Sequence, residues 1–114
     1  MKNQPVSSLE SMDNLRTTLD SALHAIVDPT RRRILKALRD ESMTTKTRSK
    51  GEFPGLCAGE IEESVRLSQP TISHHMAILT KAGLVEVTKR GQWRWYRRNE
   101  KVLRRLVKGL RAQL

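Results

Sequence analysis

One cysteine, Cys57, stands in 114 residues, so an internal disulfide framework is excluded and the chain fits a reducing cytoplasm. There is no long apolar run and no signal-peptide pattern, which argues against a bilayer-spanning or exported segment. No internal repeat or long low-complexity tract is present. The phosphate-cradling pattern G-x-x-x-x-G-K-[ST] is missing, and Ser73 and His74 are sequence neighbours that point apart on a helix. No nucleophile and base can pair there, so no active site assembles and no enzyme is expected. Carboxylates are scarce in one half of the chain. Residues 1–66 carry 11 Lys and Arg against 10 Asp and Glu, whereas residues 67–114 carry 11 against 2, a local +9 within a total of +10. Such asymmetry points to a polyanionic partner, nucleic acid before membrane.

What is present is organised around residues 57–83, CAGEIEESVRLSQPTISHHMAILTKAG. They read as two short helices joined by a tight turn. The second helix has Ser68 as its cap, Pro70 in its first turn, Lys81 in its last turn and Gly83 just beyond. At 100° per residue, Ile72, Met76 and Leu79 form one stripe, with Thr71, His74 and Lys81 opposite and Ser73 at their flank. The outward face holds no carboxylate and suits the major groove of DNA, its competitor being an ordinary solvated helix face.

With 114 residues the chain is one domain, spanning 9–114 after a frayed polar stretch at 1–8. A helix begins near Leu9, with Met12, Leu15, Leu19, Ala22 and Ile26 at spacings of three and four. Its apolar face packs either on its own core or on a partner subunit. Asp28-Pro29 then starts a second helix in which Ile34, Leu35 and Leu38 face the core. Arg31, Arg32 and Arg33 crowd its first turn, where the helix dipole least favours cations, and read as a solvated face or a phosphate contact. Residues 41–56 read as a long loop, with Lys46, Arg48 and Lys50 exposed and Phe53 and Leu56 tucked inward. Beyond Gly83 a two-stranded hairpin is expected, with Val85 and Val87 on one strand, Trp93 and Trp95 on one face of the other, and a turn near residues 89–92. A basic-tipped ribbon following a helix-turn-helix is a wing. Both tryptophans read as hydrophobic packing, with base-stacking platforms as the alternative. A last helix capped by Asn99 carries the seam Leu103, Leu106 and Leu110 among five cations, a second candidate dimer surface or a lipid-surface face.

The stretches ALHAIVDPTRRRILKAL and LSQPTISHHMAILTKAGLVEVTKRGQWRWYRR resemble the ArsR/SmtB group of bacterial winged-helix repressors, over about Ala22 to Asn99. The resemblance implies a mainly α (α+β) winged helix-turn-helix fold of about five helices with a two-stranded wing. It also implies a cytoplasmic, nucleoid-associated homodimer joined through its first and last helices on an inverted-repeat operator, repressing its own operon. By this likeness Ser68, Gln69, Thr71, Ser73 and His74 are recognition-helix positions, and Lys89, Arg90, Gln92 and Arg94 are wing positions. Leu15, Leu19, Ala22, Leu103, Leu106 and Leu110 fall at the dimer contact. His75 reads as a packed, hydrogen-bonded histidine. The long 41–56 stretch, His74 where many members have Arg, and Arg98 where an apolar residue is usual are departures from the pattern.

The group's metal sensors use thiolate pairs or Asp, His and Glu sets. Here Cys57 is alone at its helix start, His74 and His75 point about 100° apart, and the last helix offers only Glu100. Neither a metal nor another cofactor is expected. Cys57 reads as a small buried hydrophobe, with a redox thiol as the alternative. The expected partners are double-stranded DNA and a second copy of the chain, with a small-molecule or protein inducer left open and no membrane. The competing function is a non-specific nucleic-acid or anionic-surface adaptor.

Overall fold

The computed structural model describes residues 19–44 and 55–114. Met12, Leu15, Lys46, Arg48, Lys50 and Phe53, and the polar stretch 1–8, lie outside the described residues. In chain order the elements are α1 (residues 19–27), α2 (Pro29–Thr44), β1 (Leu56–Cys57), α3 (Ala58–Val65), α4 (Gln69–Lys81), β2 (Val85–Arg90), β3 (Trp93–Arg98) and α5 (Glu100–Gln113).

Local chemistry sets most of these boundaries. Asp28 opens α2 by accepting from the Thr30 and Arg31 backbone amides on Oδ1, at 2.7 and 3.1 Å, which satisfies two of the orphan donors of a helix start. Asn99 does the same for α5 by accepting from the Val102 amide at 3.2 Å. Helix α4 closes at Gly83, whose φ of 79° is left-handed. There the Leu84 amide donates to Leu79 and the Gly83 amide to Thr80, at 3.1 and 3.0 Å, a Schellman closure with Leu84 and Leu79 buried beneath it.

One expectation is corrected and another is extended. The long connection does not begin at residue 41, because α2 continues to Thr44. Neither Gly nor Pro lies between Arg39 and Thr44, and Ser and Thr are too weak as breakers to stop a helix already under way. The two-stranded wing is present as β2 and β3, and a third strand joins it. β1 pairs with β3, Leu56 opposite Tyr96 and Cys57 opposite Trp95, giving an antiparallel order β1-β3-β2. Gly55, with a φ of 117°, makes this pairing fit, since a Cβ there would collide with the Tyr96 carbonyl.

The core is built by α2 (Ile34, Leu35, Leu38), α3 (Ile61, Val65), α4 (Ile72, Met76, Leu79) and the sheet (Leu56, Val85, Tyr96), with Leu84 between them. Ala22 and Ala25 of α1 and Leu106 of α5 are buried in the same cluster. Leu19 of α1 faces Gly109 of α5, where an added Cβ would meet Leu19 Cδ1 at 3.6 Å. The first and last helices therefore lie side by side.

Candidate nucleic-acid interface

The three arginines at the start of α2, Arg31 buried and Arg32 and Arg33 exposed, each hold the carbonyl end of a neighbouring helix. The last four carbonyls of α1 lack intrahelical partners, and two guanidinium groups take all of them. Arg31 Nε donates to Ala25 at 2.6 Å and Nη2 to His24 at 3.3 Å, while Arg32 Nη1 donates to Ile26 and Val27 at 2.7 and 2.9 Å. Arg33 Nη2 donates to the Val65 carbonyl at the end of α3, at 2.9 Å. Cations at the start of α2 are thus cations at the C-terminal ends of α1 and α3, where the dipole favours them. This corner fixes α1 and α3 against α2, and α3 carries the turn into α4.

That turn passes through Arg66, whose φ of 57° is left-handed without being glycine, with its amide donating to Glu62 at 2.7 Å. Ser68 stands at the N-cap of α4 with extended backbone, but its hydroxyl does not cap the helix. It lies 3.0 Å from Thr71 Oγ1 instead. Ile72, Met76 and Leu79 are buried, and Ser68, Gln69, Thr71, Ser73 and His74 are exposed. The wing presents Lys89, Arg90, Gln92 and Arg94, all exposed.

The hairpin register places Val87 opposite Tyr96 and Arg90 opposite Trp93, around a two-residue loop. Gly91, at a φ of 60°, supplies the first central residue of a type II′ turn. Because side chains alternate, Tyr96 and Val87 share the inner face while Trp93 and Trp95 share the outer one. The packing expected of Trp93 is therefore corrected. Tyr96 enters the core, Trp95 is half-buried, and Trp93 is 60% exposed beside the basic tip. Arg98 falls on the inner face opposite Val85. Its charge is met by Glu100, with Nη2 donating to Oε1 at 3.0 Å and Nε 2.8 Å from Oε2.

Two clefts join α4 to the wing. One, of about 410 Å³, is lined by Gln69 and Ser73 from α4, Gln92, Trp93 and Arg94 from the wing, and Cys57, Gly59 and Glu62 from α3 and its start. The other, of about 370 Å³, runs between Ser73, Ala77 and Lys81 on one side and Val87, Lys89 and Arg94 on the other. Ser73 and Arg94 border both. The structure thus brings Gln69, Ser73, Lys89, Gln92 and Arg94 together, while Ser68, Thr71, His74 and Arg90 line neither cleft. Sequence reasoning missed Trp93 as a surface residue. The signal was available, since a loop at Gly91-Gln92 gives Trp93 and Trp95 the parity opposite to Val87.

Among the expected dimer positions, Ala22 (2% exposed) and Leu106 (6% exposed) are already buried within the chain. Leu19, Leu103 and Leu110 are half-buried, and Val107 is exposed. His75 is half-buried with Nδ1 3.2 Å from Arg31 Nη1, as expected of a packed histidine. Cys57 is half-buried, and its amide donates to Glu60 Oε1 at 3.1 Å. Among the described residues no three His, Cys, Asp or Glu side chains converge as a ligand set, and no helix is long and apolar enough to cross a membrane.

A tri-helical core of α2, α3 and α4, followed directly by a basic hairpin, defines a winged helix-turn-helix domain. The family described as bacterial regulatory protein, arsR family, matches residues 52–87. The transcriptional repressor SdpR of Bacillus subtilis is 36% identical over 85 residues, 75% of this chain and 80% of that protein. An arsenical resistance operon repressor of Staphylococcus aureus is 39% identical over 79 residues, 68% of this chain and 73% of that one. The solved homodimeric winged helix-turn-helix domain Mb0332 of Mycobacterium bovis, a possible ArsR-family transcriptional regulator, superposes with a TM-score of 0.62. It is 18% identical, with 98% of this chain and 87% of that one covered. The chain belongs to the ArsR family. It is a DNA-binding transcriptional regulator and not an enzyme.

Proposed function

We propose that this protein is a repressor that binds an inverted-repeat operator as a homodimer, represses its own operon and does not respond to metal. The observation that carries the reading is that the exposed residues Ser68, Gln69, Thr71, Ser73, His74, Lys89, Arg90, Gln92 and Arg94, at the start and outer face of α4 and at the wing tip, are all polar or basic, while the wing's one carboxylate, Glu86, is paired with Arg97. Ser68, Gln69, Thr71, Ser73 and His74 meet base edges and flanking phosphates in the major groove, and Lys89, Arg90, Gln92 and Arg94 track the adjacent backbone. The subunits join through α1 and α5, using Leu19, Leu103 and Leu110 and the exposed Val107. Ala22 and Leu106 support this surface from beneath. The relatives' names as repressors support the direction of regulation, and metal independence is argued from the donors the sequence offers: Cys57 has no second thiolate, and the last helix has Glu100 as its one carboxylate and no His.

Selection of bound sequences from a random duplex pool at physiological salt, with light scattering for mass, tests this. An enriched inverted repeat with half-sites about 10 base pairs apart, bound by a dimer, is expected. Tight, salt-sensitive binding without enrichment would replace the repressor by the non-specific adaptor.

A further inference from the structure

Behind the DNA-facing surface, one side chain ties three parts of the fold together. Arg31 is 6% exposed, and each of its guanidinium nitrogens is engaged. Two hold the His24 and Ala25 carbonyls of α1; Nη1 lies 3.2 Å from Nδ1 of His75 on α4 and 4.0 Å from the Asp28 carboxylate. A guanidinium has donors only, so His75 Nδ1 is the acceptor. The ring is therefore neutral, with its proton on Nε2.

We propose that His75 is a positioning residue for operator reading: through Arg31 it fixes the recognition helix against the end of α1, and only while its ring is neutral. This rests on the reading that α4 enters the groove and that α1 lies at the dimer contact. In such a dimer the separation of the two recognition helices follows from the setting of α4 on α1, so the Arg31–His75 contact bears on half-site spacing. Protonating Nδ1 removes the acceptor and sets an imidazolium against a guanidinium. Arg31 stays held by two carbonyls and Asp28, so the displacement falls on α4.

Burial, more than the charges around the ring, favours the neutral form. Burial lowers the proton affinity of His75 most; Asp28 raises it, and Arg31 and His74 lower it. The His74 ring stands edge to face with its neighbour, centroids 5.5 Å apart. His75→Asn keeps a carbonyl acceptor near Nδ1 and does not titrate, whereas His75→Leu removes the acceptor.

The experiment is a titration of the selected operator and of unrelated duplex DNA, from pH 8 to pH 5, with wild type and both variants. For wild type, the preference for operator falls about tenfold as the pH drops below the ordinary histidine range. The Asn variant holds its preference at low pH, and the Leu variant shows a reduced preference throughout and tolerates a half-site spacing changed by one base pair. His75→Asn retains every other side chain of the DNA-facing surface, so the difference between its pH profile and that of wild type isolates the His75 ring. Nitrogen NMR of the His75 ring, recorded without DNA at neutral pH, is expected to show the proton on Nε2. A proton on Nδ1, or identical pH profiles for wild type and His75→Asn, would overturn the proposal. If no duplex is preferred at any pH, the operator reading falls and the positioning role with it, while the ring spectrum separately decides whether the contact itself is real.

Discussion

At the scale of single residues, the wing and the recognition helix are expected to differ in kind. Arg90 sits at the tip, where a lost charge is felt equally by every duplex. Arg90→Ala is expected to weaken binding to all sequences and to lower the slope of log affinity against log salt by about one. Gln69→Ala or Thr71→Ala is expected to cost about 1–3 kcal/mol on the operator alone and to leave that slope unchanged. The same salt titrations check both. Trp93 belongs to neither group. An exposed indole beside the tip can lie on a sugar or base without adding charge. Trp93→Ala is thus expected to cost about 1 kcal/mol with an unaltered salt slope, and Trp93→Phe to recover part of it. Which residues would be exposed was largely legible from the 3.6-residue period of α4. The role of the tryptophans was not, because it depended on strand parity, and parity depends on a turn that the sequence locates only to within a residue or two.

At the scale of elements, glycines separate two cases. Gly55 holds a left-handed backbone against β3, so Gly55→Ala forces a collision and a strained φ and is expected to destabilise by at least about 2 kcal/mol. Gly109 sits within α5, half-buried, where a methyl group would make ordinary contact with Leu19. Gly109→Ala is expected to stabilise by up to about 1 kcal/mol through helix propensity. Denaturant unfolding of the two variants checks the pair. The long helices and their caps at Asp28, Asn99 and Gly83 were readable, since each carries its signal within one turn. β1 was not, because two residues show no period and its partner is nearly 40 residues away in sequence. What the arginine run holds was hidden for a related reason. Its purpose lies in the carbonyl ends of two other helices, which no local pattern discloses.

At the scale of the whole molecule, acid acts on stability through two groups among the described residues, with shifts in the same sense. Burial holds His75 below its ordinary 6.5, so the unfolded chain takes up protons more readily than the folded one. Its contribution is complete above that pH and is lost as the pH falls from there toward the depressed folded value. Asp28 is held below its ordinary 3.8, first by the hydrogen bond from the Arg31 amide and against a smaller effect of burial. Its contribution is complete above 3.8 and is lost as the pH falls from there. Thermal unfolding from pH 8 to pH 3 is expected to show a decline in two steps. His75→Asn abolishes the upper step, and Asp28→Asn, which can still cap the helix, abolishes the lower one.

The fist of Arg31, Arg32 and Arg33 also bears on how such a scaffold changes over generations. Lysine cannot replace Arg31, since its three donors share one nitrogen, whereas the two carbonyls and the imidazole are met by three separate nitrogens spread across a planar guanidinium. Insertion or deletion between Asp28 and Ile34 would re-aim all three side chains at once. The exposed residues of α4, by contrast, support little besides themselves. Drift is therefore channelled to the face that reads sequence, and a lineage can acquire a new operator by exchanging a few side chains there while the corner behind it stays as it is.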